Sequence, residues 1–203
     1  MVTARRPDAG FTLTESMVVL VILSLLAALS TPLFTRDNNA RKGRDWAKVV
    51  AQLLQRARFQ AMGDRASIHV RLYRTHVDMY RQEPTGTFTL LSSTSGPAAD
   101  GTKTVAIWDA KKQSDCIASS ALPPGQTLPT GAGAVPTSSS TNDIVFTALG
   151  SVVTANDGTT PVDWCVYIRN ELLATGHPDA SFVVTIKGLT GYISSNDKVA
   201  LVP

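Results

Sequence analysis

One carboxylate stands near the start of a long apolar stretch. The sequence from Gly10 to Phe34 reads GFTLTESMVVLVILSLLAALSTPLF, and Glu15 carries its one charged side chain. A carboxylate that enters the hydrocarbon of a membrane costs a few kcal/mol, so an acid in such a place normally has a partner or a task. No Lys or Arg lies one helical turn away from Glu15. We therefore expect its partner to be a cation supplied by another molecule.

A free amino group could supply that cation. If the chain were cut after Gly10, Phe11 would become the N-terminal residue and would carry a positive charge at the edge of the apolar stretch. Glu15 of a neighbouring copy could then pair with the amine of Phe11 during assembly. The pairing would be strong there, because charges interact more strongly in a medium of low dielectric constant than in water.

Two ordinary kinds of apolar segment compete with this interpretation. A secretory signal peptide has basic residues first, as Arg5 and Arg6 are here, but it also needs a small-x-small cleavage site after its apolar core, and none follows. A plain signal anchor is the second alternative, since the apolar run lies at the lower limit of length for crossing a bilayer as a helix. The anchor explains every feature except Glu15 and the Gly10-Phe11 step.

The segment resembles a type IV prepilin. Its basic leader ends in Gly10, the motif Phe11-Thr12-Leu13-Thr14-Glu15 follows, and the apolar helix has Pro32 near its end. The resemblance implies cleavage between Gly10 and Phe11 by a prepilin peptidase, N-methylation of Phe11, and a role for Glu15 in assembly. Thr14 replaces the commoner aliphatic residue.

The membrane topology does not follow from charge alone. Basic residues stand on both sides of the apolar run, so the positive-inside rule does not decide. The resembled peptidase acts on the cytoplasmic side. The resemblance therefore implies a leader at 1–10, a single-pass membrane and assembly helix at 11–34 in the inner (cytoplasmic) membrane, and a periplasmic globular domain at 35–203. Pro32 either kinks this helix or marks the end of its membrane segment.

The two cysteines, Cys116 and Cys165, are far apart in the chain. Outside the cytoplasm they can form one disulfide, which we expect. The alternative is a pair of buried thiols, because Cys165 falls in a predicted strand.

The period of the apolar residues changes along the rest of the chain. From 44 to 63 it is helical, and the expected buried residues are Trp46, Val49, Val50, Leu53, Ala57 and Ala61. Asp45 suits the first turn of this helix and Gly63 suits its C-terminal stop. The pilin resemblance implies that it is the amphipathic second half of one long helix.

After this helix the period becomes two, which is typical of strands. Ile68, Val70 and Leu72 alternate with His69, Arg71 and Tyr73, and a hairpin partner follows in VDMYR. Further strands are predicted at Lys103–Ala110, Asp143–Val153, Val162–Asn170, Ser181–Gly188 and GYIS. Loops are predicted at Ser92–Thr102 and at 119–143. The sequence thus predicts an α+β fold, with one long N-terminal helix on an antiparallel sheet, as in pilins.

No pattern for enzymatic chemistry stands out. There is no Ser-His-Asp order, no Cys-His pair and no nucleotide-binding loop, and His69, His76 and His177 lack the spacing of metal ligands. We expect no enzyme activity, no cofactor and no metal. The formal net charge of +3 is too weak to indicate a nucleic-acid binder by itself.

Several patches beyond the helix resemble the FimT, FimU and H-type (GspH) pseudopilin group, a group of minor pilins and pseudopilins. These are LLQRARFQAMGDRASIHV, IVFTALGSV and VVTIKGLTGYIS. The resemblance implies a structural subunit of a type IV pilus or a type II secretion pseudopilus, with other pilins, the prepilin peptidase and the inner membrane as partners.

Two other functions remain open at this point. Some members of the group bind DNA, and a basic face could form from Arg56, Arg58, Arg71, Arg74, His76 and Arg81. This chain has Gly191-Tyr192 where the group usually has an arginine, so a solvated face is favoured over a DNA site. The other alternative is a membrane-anchored periplasmic protein that does not assemble.

The cysteine pair gives a first prediction. In protein exported to the periplasm, Cys116 and Cys165 should resist thiol alkylation until a reductant is added, because a disulfide has no thiolate to react. Mobility on reducing and non-reducing gels measures the same bond. Alkylation of both residues without a reductant would show two thiols instead.

Overall fold

The computed structural model describes residues 13–97, 103–112, 143–154, 159–174, 177 and 180–197. In these ranges the chain forms one helix, α1 (Leu13–Asp64), and nine strands. The strands are β1 (Ile68–Leu72), β2 (His76–Gln82), β3 (Phe88–Ser95), β4 (Val105–Lys112), β5 (Ile144–Phe146), β6 (Val152–Thr154), β7 (Trp164–Asn170), β8 (Ser181–Ile186) and β9 (Ile193–Asp197).

The chain divides into two compact units, Met1–Asn38 and Asn39–Pro203. The described part of the first unit is helical throughout. The second unit contains the rest of α1 and all nine described strands. The α+β class predicted from the sequence is confirmed.

The second half of α1 buries one face against the strands. Small side chains on this face let the helix approach them closely, and the buried residues are Trp46, Ala47, Val50, Ala51, Leu54, Ala57 and Ala61. Their spacing of mostly three and four residues is the helical period. The buried face is slightly rotated about the helix axis from the predicted one. Val49 and Leu53 are only half-buried, and Leu54 is fully buried instead.

Gly43 and Asn170 hold the start of this helix half against the strands. A Cβ atom at Gly43 would lie 2.7 Å from Nδ2 of Asn170 and 2.8 Å from Cε2 of Phe182, so no larger residue fits. Asn170 Nδ2 donates to the backbone oxygen of Asn39 at 2.8 Å. Its Oδ1 accepts from the backbone N–H of Leu172 at 3.2 Å. The buried amide is therefore bonded on both sides, as a buried polar group must be.

The end of α1 differs from the prediction. Gly63 lies inside the helix, and Arg65 takes the left-handed conformation that ends it, with φ 51°. The backbone N–H of Ala66 donates to the oxygen of Ala61 at 3.3 Å, which is the bond of a Schellman motif. A glycine near a helix end was the right signal, but it stands two residues before the position that needs it.

The strands form two antiparallel sheets where the sequence predicted one. The five-stranded sheet has the order β3-β2-β1-β5-β6, and the four-stranded sheet has the order β4-β7-β8-β9. Two strand predictions were wrong. β3 occupies part of the predicted loop at Ser92–Thr102, and the predicted strand Asp143–Val153 is a hairpin of β5 and β6.

One hydrophobic cluster joins the second half of α1 to both sheets. Leu54 of α1, Phe146 of β5 and Ile168 of β7 are all fully buried within it. The predicted inward face of β1, Ile68, Val70 and Leu72, belongs to the same cluster, as the alternation indicated.

Asp143 is the described end of the predicted loop 119–143, and it is buried. Its carboxylate accepts from Arg71 Nε at 2.8 Å and from Arg71 Nη2 at 2.9 Å. This two-pronged geometry is the strongest form of an arginine–carboxylate pair. It fixes the start of β5 beside β1. The rest of that loop lies outside the described residues.

Two glycines with open space around them test the effect of backbone conformation alone on stability. A Cβ atom at Gly63 or at Gly86 would meet nothing within 4 Å, but Gly86 has a φ of +82° and Gly63 is helical. Gly63→Ala should raise the free energy of unfolding by about 0.5–1 kcal/mol, because alanine favours helix. Gly86→Ala should lower it by about 1 kcal/mol, because a side chain strains the left-handed region.

Denaturant unfolding of the full-length protein in detergent measures both changes. The two variants make the same chemical change and serve as controls for each other. Equal shifts of the same sign would contradict the assignment of the helix end.

Candidate functional site

The N-terminal part of α1 exposes its apolar side chains in every direction. Leu13 is 79% exposed, Leu20 is 66% exposed and Leu26 is 59% exposed. The other large exposed side chains of this part are Met17, Val18, Val19, Val21, Ile22, Leu23 and Leu25. A helix that is apolar all round is stable only when something apolar surrounds it. Within the described ranges, no helix has both the length and the apolar character that crossing a membrane requires.

Glu15 lies in the first described turn of α1. Together with Thr14, Val18 and Val19 it lines a shallow, mostly apolar groove of about 400 Å³. An acid at a helix N-terminus is stabilised by the helix dipole, by about 0.3–1 kcal/mol at an exposed site. That gain is smaller than the cost of carrying a carboxylate into hydrocarbon, so the dipole alone does not explain Glu15.

Ser24 shows how a hydroxyl is accommodated in the same apolar run. Its Oγ donates to the backbone oxygen of Val21 at 2.8 Å, one turn earlier in the helix. The hydroxyl therefore needs no partner from outside the helix. A carboxylate has no proton to donate to a backbone oxygen when ionised, so Glu15 cannot use this solution.

Several predicted site residues fall outside what the structure describes. Gly10, Phe11 and Cys116 lie outside the described residues, and of Pro32 only the helical backbone is described. Cleavage, methylation and the kink remain predictions.

Cys165 is the described member of the predicted disulfide. It is 7% exposed on β7, in a small cluster with Tyr167 and Val183 and beside Trp108. No cysteine in the described part of the chain is a free thiol. The pairing with Cys116 remains a prediction.

The predicted basic face does not present free positive charge in the described part of β1 and β2. Three of its arginines bind carboxylates at 2.7–2.9 Å, in the pairs Arg71–Asp143, Arg74–Glu171 and Arg81–Glu83. The hydrogen bond and the charge of Glu83 raise the pKa of Arg81. His76 stacks on the ring of Tyr73, with ring centroids 4.2 Å apart.

The histidines have structural neighbours. His69 is buried on β1, where its Nε2 lies 3.3 Å from Oε1 of Gln82 and its ring meets the edge of Phe88. The described residues contain no group of three or more His, Cys, Asp and Glu side chains that could hold a metal ion.

One comparison with known protein families matches the N-terminal part of the chain. The family model described as the prokaryotic N-terminal methylation motif matches residues 5–31. The chain carries the N-terminal methylation motif that this model describes. The N-terminal resemblance predicted from the sequence is confirmed by this motif, and the roles of Gly10, Phe11 and Glu15 stay predictions. The comparison with curated proteins finds no match.

Solved structures also resemble the chain. The type IV minor pilin FimU of Pseudomonas aeruginosa matches in two crystal forms with TM-scores of 0.44 and 0.45, both at 18% identity. These matches cover 75% and 82% of this chain and 91% and 98% of FimU. The minor pseudopilin EpsH from the type 2 secretion system of Vibrio cholerae matches with a TM-score of 0.43 and 12% identity, over 77% of this chain and 97% of EpsH.

The methylation motif gives a prediction about its first step. Gly10→Phe should block removal of the leader, because a bulky side chain would stand at the bond to be cut. Mass spectrometry of protein from native membranes should then find a chain about ten residues longer than the mature wild type, with no methyl group on Phe11. Gly63→Ala, far from the motif, is the control and should be processed normally. A mature mass in the Gly10 variant would contradict prepilin processing.

Proposed function

We propose that this chain is a minor pilin or pseudopilin, a structural subunit that enters a type IV pilus or a type II secretion pseudopilus. The methylation motif at residues 5–31 carries the proposal. The all-round apolar surface from Leu13 to Leu26 supports it, since such a surface needs other apolar helices or lipid around it.

We further propose an order of events for the N-terminus. The segment at 11–34 inserts into the inner membrane with the leader in the cytoplasm, and the domain at 35–203 reaches the periplasm. A prepilin peptidase removes residues 1–10 and Phe11 is methylated. The buried pair between Arg71 and Asp143 and the packed core belong to the part that stays outside the membrane.

Assembly then uses one charge pair. Glu15 sits in a shallow, mostly apolar groove with Thr14, Val18 and Val19, where a neighbour's amine would meet mainly apolar side chains. A carboxylate and an ammonium group attract strongly in such surroundings, and each removes the cost of burying the other. The pair also fixes the register, because it forms at one depth along the helix.

The role as a minor subunit rests on the resemblance of the strand region to the FimT, FimU and H-type group. The function is that of a structural subunit, and the proposal includes no enzymatic step. DNA binding is disfavoured by the carboxylates that pair with Arg71, Arg74 and Arg81.

Glu15→Ala tests this proposal. Export, leader removal and folding should be unchanged, because alanine favours helix and the core lies in the other compact unit. Recovery with sheared filaments should fail, since the amine of Phe11 would enter the apolar filament core without a counter-charge, at a cost of several kcal/mol. Glu15→Gln should give an intermediate recovery, because an amide can accept a hydrogen bond but has no charge.

Ser24→Ala is the matched control, because the Ser24 hydroxyl is satisfied within its own helix. It should be recovered with filaments at the wild-type level. A Glu15→Ala protein that is cleaved, folded and recovered like Ser24→Ala would refute the assembly role.

A further inference from the structure

The positive charge of the chain is concentrated in one short segment. Residues 36–48 read RDNNARKGRDWAK and begin two residues after Phe34. They hold five basic and two acidic side chains, a net charge of +3, which equals the formal net charge of the whole chain. Residues 1–35 and 49–203 are each neutral, with two and twelve side chains of either sign. We name residues 36–48 the basic segment, and its basic residues are Arg36, Arg41, Lys42, Arg44 and Lys48.

The basic segment also differs from the strand region in the partners of its charges. Among the described residues, no ion pair involves Arg41, Lys42 or Lys48. Beyond the segment, four basic side chains bind carboxylates at 2.7–2.9 Å, and these are Arg71, Arg74, Arg81 and Lys187. The charges on the strands are therefore neutralised within the fold, and those of the basic segment remain available to another molecule.

The described side chains of the basic segment are accessible. Arg41 and Lys48 are exposed, and Lys42 is half-buried. Arg41 and Lys48 are seven residues apart on α1, so they lie on the same face of the helix. Trp46 and Ala47, on another face, are buried in the core. Lysine and arginine carry their charge at the end of a long flexible stem, which lets the charge reach a surface some distance from the helix.

Chain connectivity keeps the basic segment near the end of the apolar run. Arg36 is two residues beyond Phe34, and Arg41 is seven residues beyond it. A chain spans at most about 3.3–3.6 Å per residue, so the Cα atom of Arg36 lies within about 7 Å of that of Phe34 in any conformation. For Arg41 the same limit is about 25 Å. Whatever apolar medium surrounds the run therefore has its polar boundary close to these charges.

The proposed topology makes this placement unfavourable for insertion. The basic segment would stand on the periplasmic side with five basic residues, and the cytoplasmic leader has only Arg5 and Arg6. The positive-inside rule favours the opposite distribution. A charge that opposes insertion in the proposed direction calls for a compensating interaction once the chain is in place.

We propose that the basic segment binds the anionic headgroups of phospholipids at the periplasmic surface of the inner membrane. Clusters of about four to eight Lys and Arg residues beside a transmembrane helix are typical of segments that bind anionic lipids. This inference rests on the proposed function, because it needs the segment at 11–34 in the membrane. It does not depend on assembly.

The bilayer has an advantage over any other polyanion as the partner. A membrane-inserted chain is tethered to the bilayer surface, and tethering raises the effective concentration of the headgroups at the basic segment. The contact is electrostatic, so it weakens as the charges move away from the headgroups. The lipids can thus hold the start of the globular domain at the membrane before assembly, and they release it when the subunit leaves the bilayer.

Spin-labelled lipids test the proposal with the full-length chain in phosphatidylcholine bilayers. Electron paramagnetic resonance measures how strongly labelled phosphatidylglycerol and labelled phosphatidylcholine associate with the protein. Every protein carries Arg5→Gln and Arg6→Gln, so that the leader contributes no positive charge. At low salt phosphatidylglycerol should associate about fivefold more strongly, the factor for one basic residue at an anionic surface. In 1 M NaCl the ratio should approach one, because the Debye length falls to about 3 Å.

The charges are then removed from the basic segment. Arg41→Gln, Lys42→Gln and Lys48→Gln together should lower the ratio to about twofold, because Arg36 and Arg44 remain. Glutamine favours helix about as well as lysine and arginine, so the fold should be unchanged.

A matched triple variant controls for charge alone. Arg56→Gln, Arg65→Gln and Lys103→Gln remove the same charge from exposed positions outside the basic segment. This control should keep the fivefold preference. A wild-type ratio near one, or an equal fall in both triple variants, would overturn the lipid contact.

Two further results separate this inference from the function that it depends on. If alkaline carbonate extracts the wild-type chain from the bilayers, the membrane insertion in the proposed function fails and the inference fails with it. If the chain stays in the bilayers without a preference for phosphatidylglycerol, the inference alone fails. Salt-sensitive retention of DNA by the same bilayers, without a lipid preference, would assign the charge to nucleic acid and overturn the lipid proposal.

Discussion

The apolar surface of the first helical turns cannot remain in water. Each large side chain from Leu13 to Leu26 is about half exposed or more, and no polar face interrupts them. Burying such side chains is worth about 1.5–3 kcal/mol each, so the free energy gained by covering this segment with apolar groups exceeds the whole stability of a typical domain. In the proposed assembly, the carboxylate of Glu15 selects among apolar surroundings, because it would pair with a cation at its own depth.

The second half of the same helix meets a different structural requirement. There it must approach two sheets closely, and it does so with Gly43, Ala47, Ala51, Ala57 and Ala61. Small residues bring the backbone near the strands, while Trp46, Val50 and Leu54 supply most of the buried volume. The two parts of this helix therefore differ in composition. The first has large apolar residues on all sides, and the second has small residues on the one side that packs against the strands.

The sequence predicted those features that depend on local pattern. The helix and β1 follow from periods of 3.6 and two, and Glu15 follows from a charge in an apolar run. β3 was missed because FTLLSSTS has no regular apolar alternation, as suits an edge strand with little to bury. The β5–β6 turn was missed because Ala148-Leu149-Gly150 contains one turn residue only. The division into two sheets depends on pairings between distant strands, which no local pattern records.

The bond from Asn170 to the backbone of Asn39 has a mechanical consequence. A pull along the second half of α1 is resisted first at Asn39, whose backbone oxygen is held by a strand side chain. Beyond it, Trp46, Leu54 and Ala61 pack in the same core about two turns apart, so the load is shared along the interface. Many contacts must then slip at once, which resists extraction better than contacts that open one after another. A chain built in this way can carry tension in the second half of its helix while its strands keep their shape.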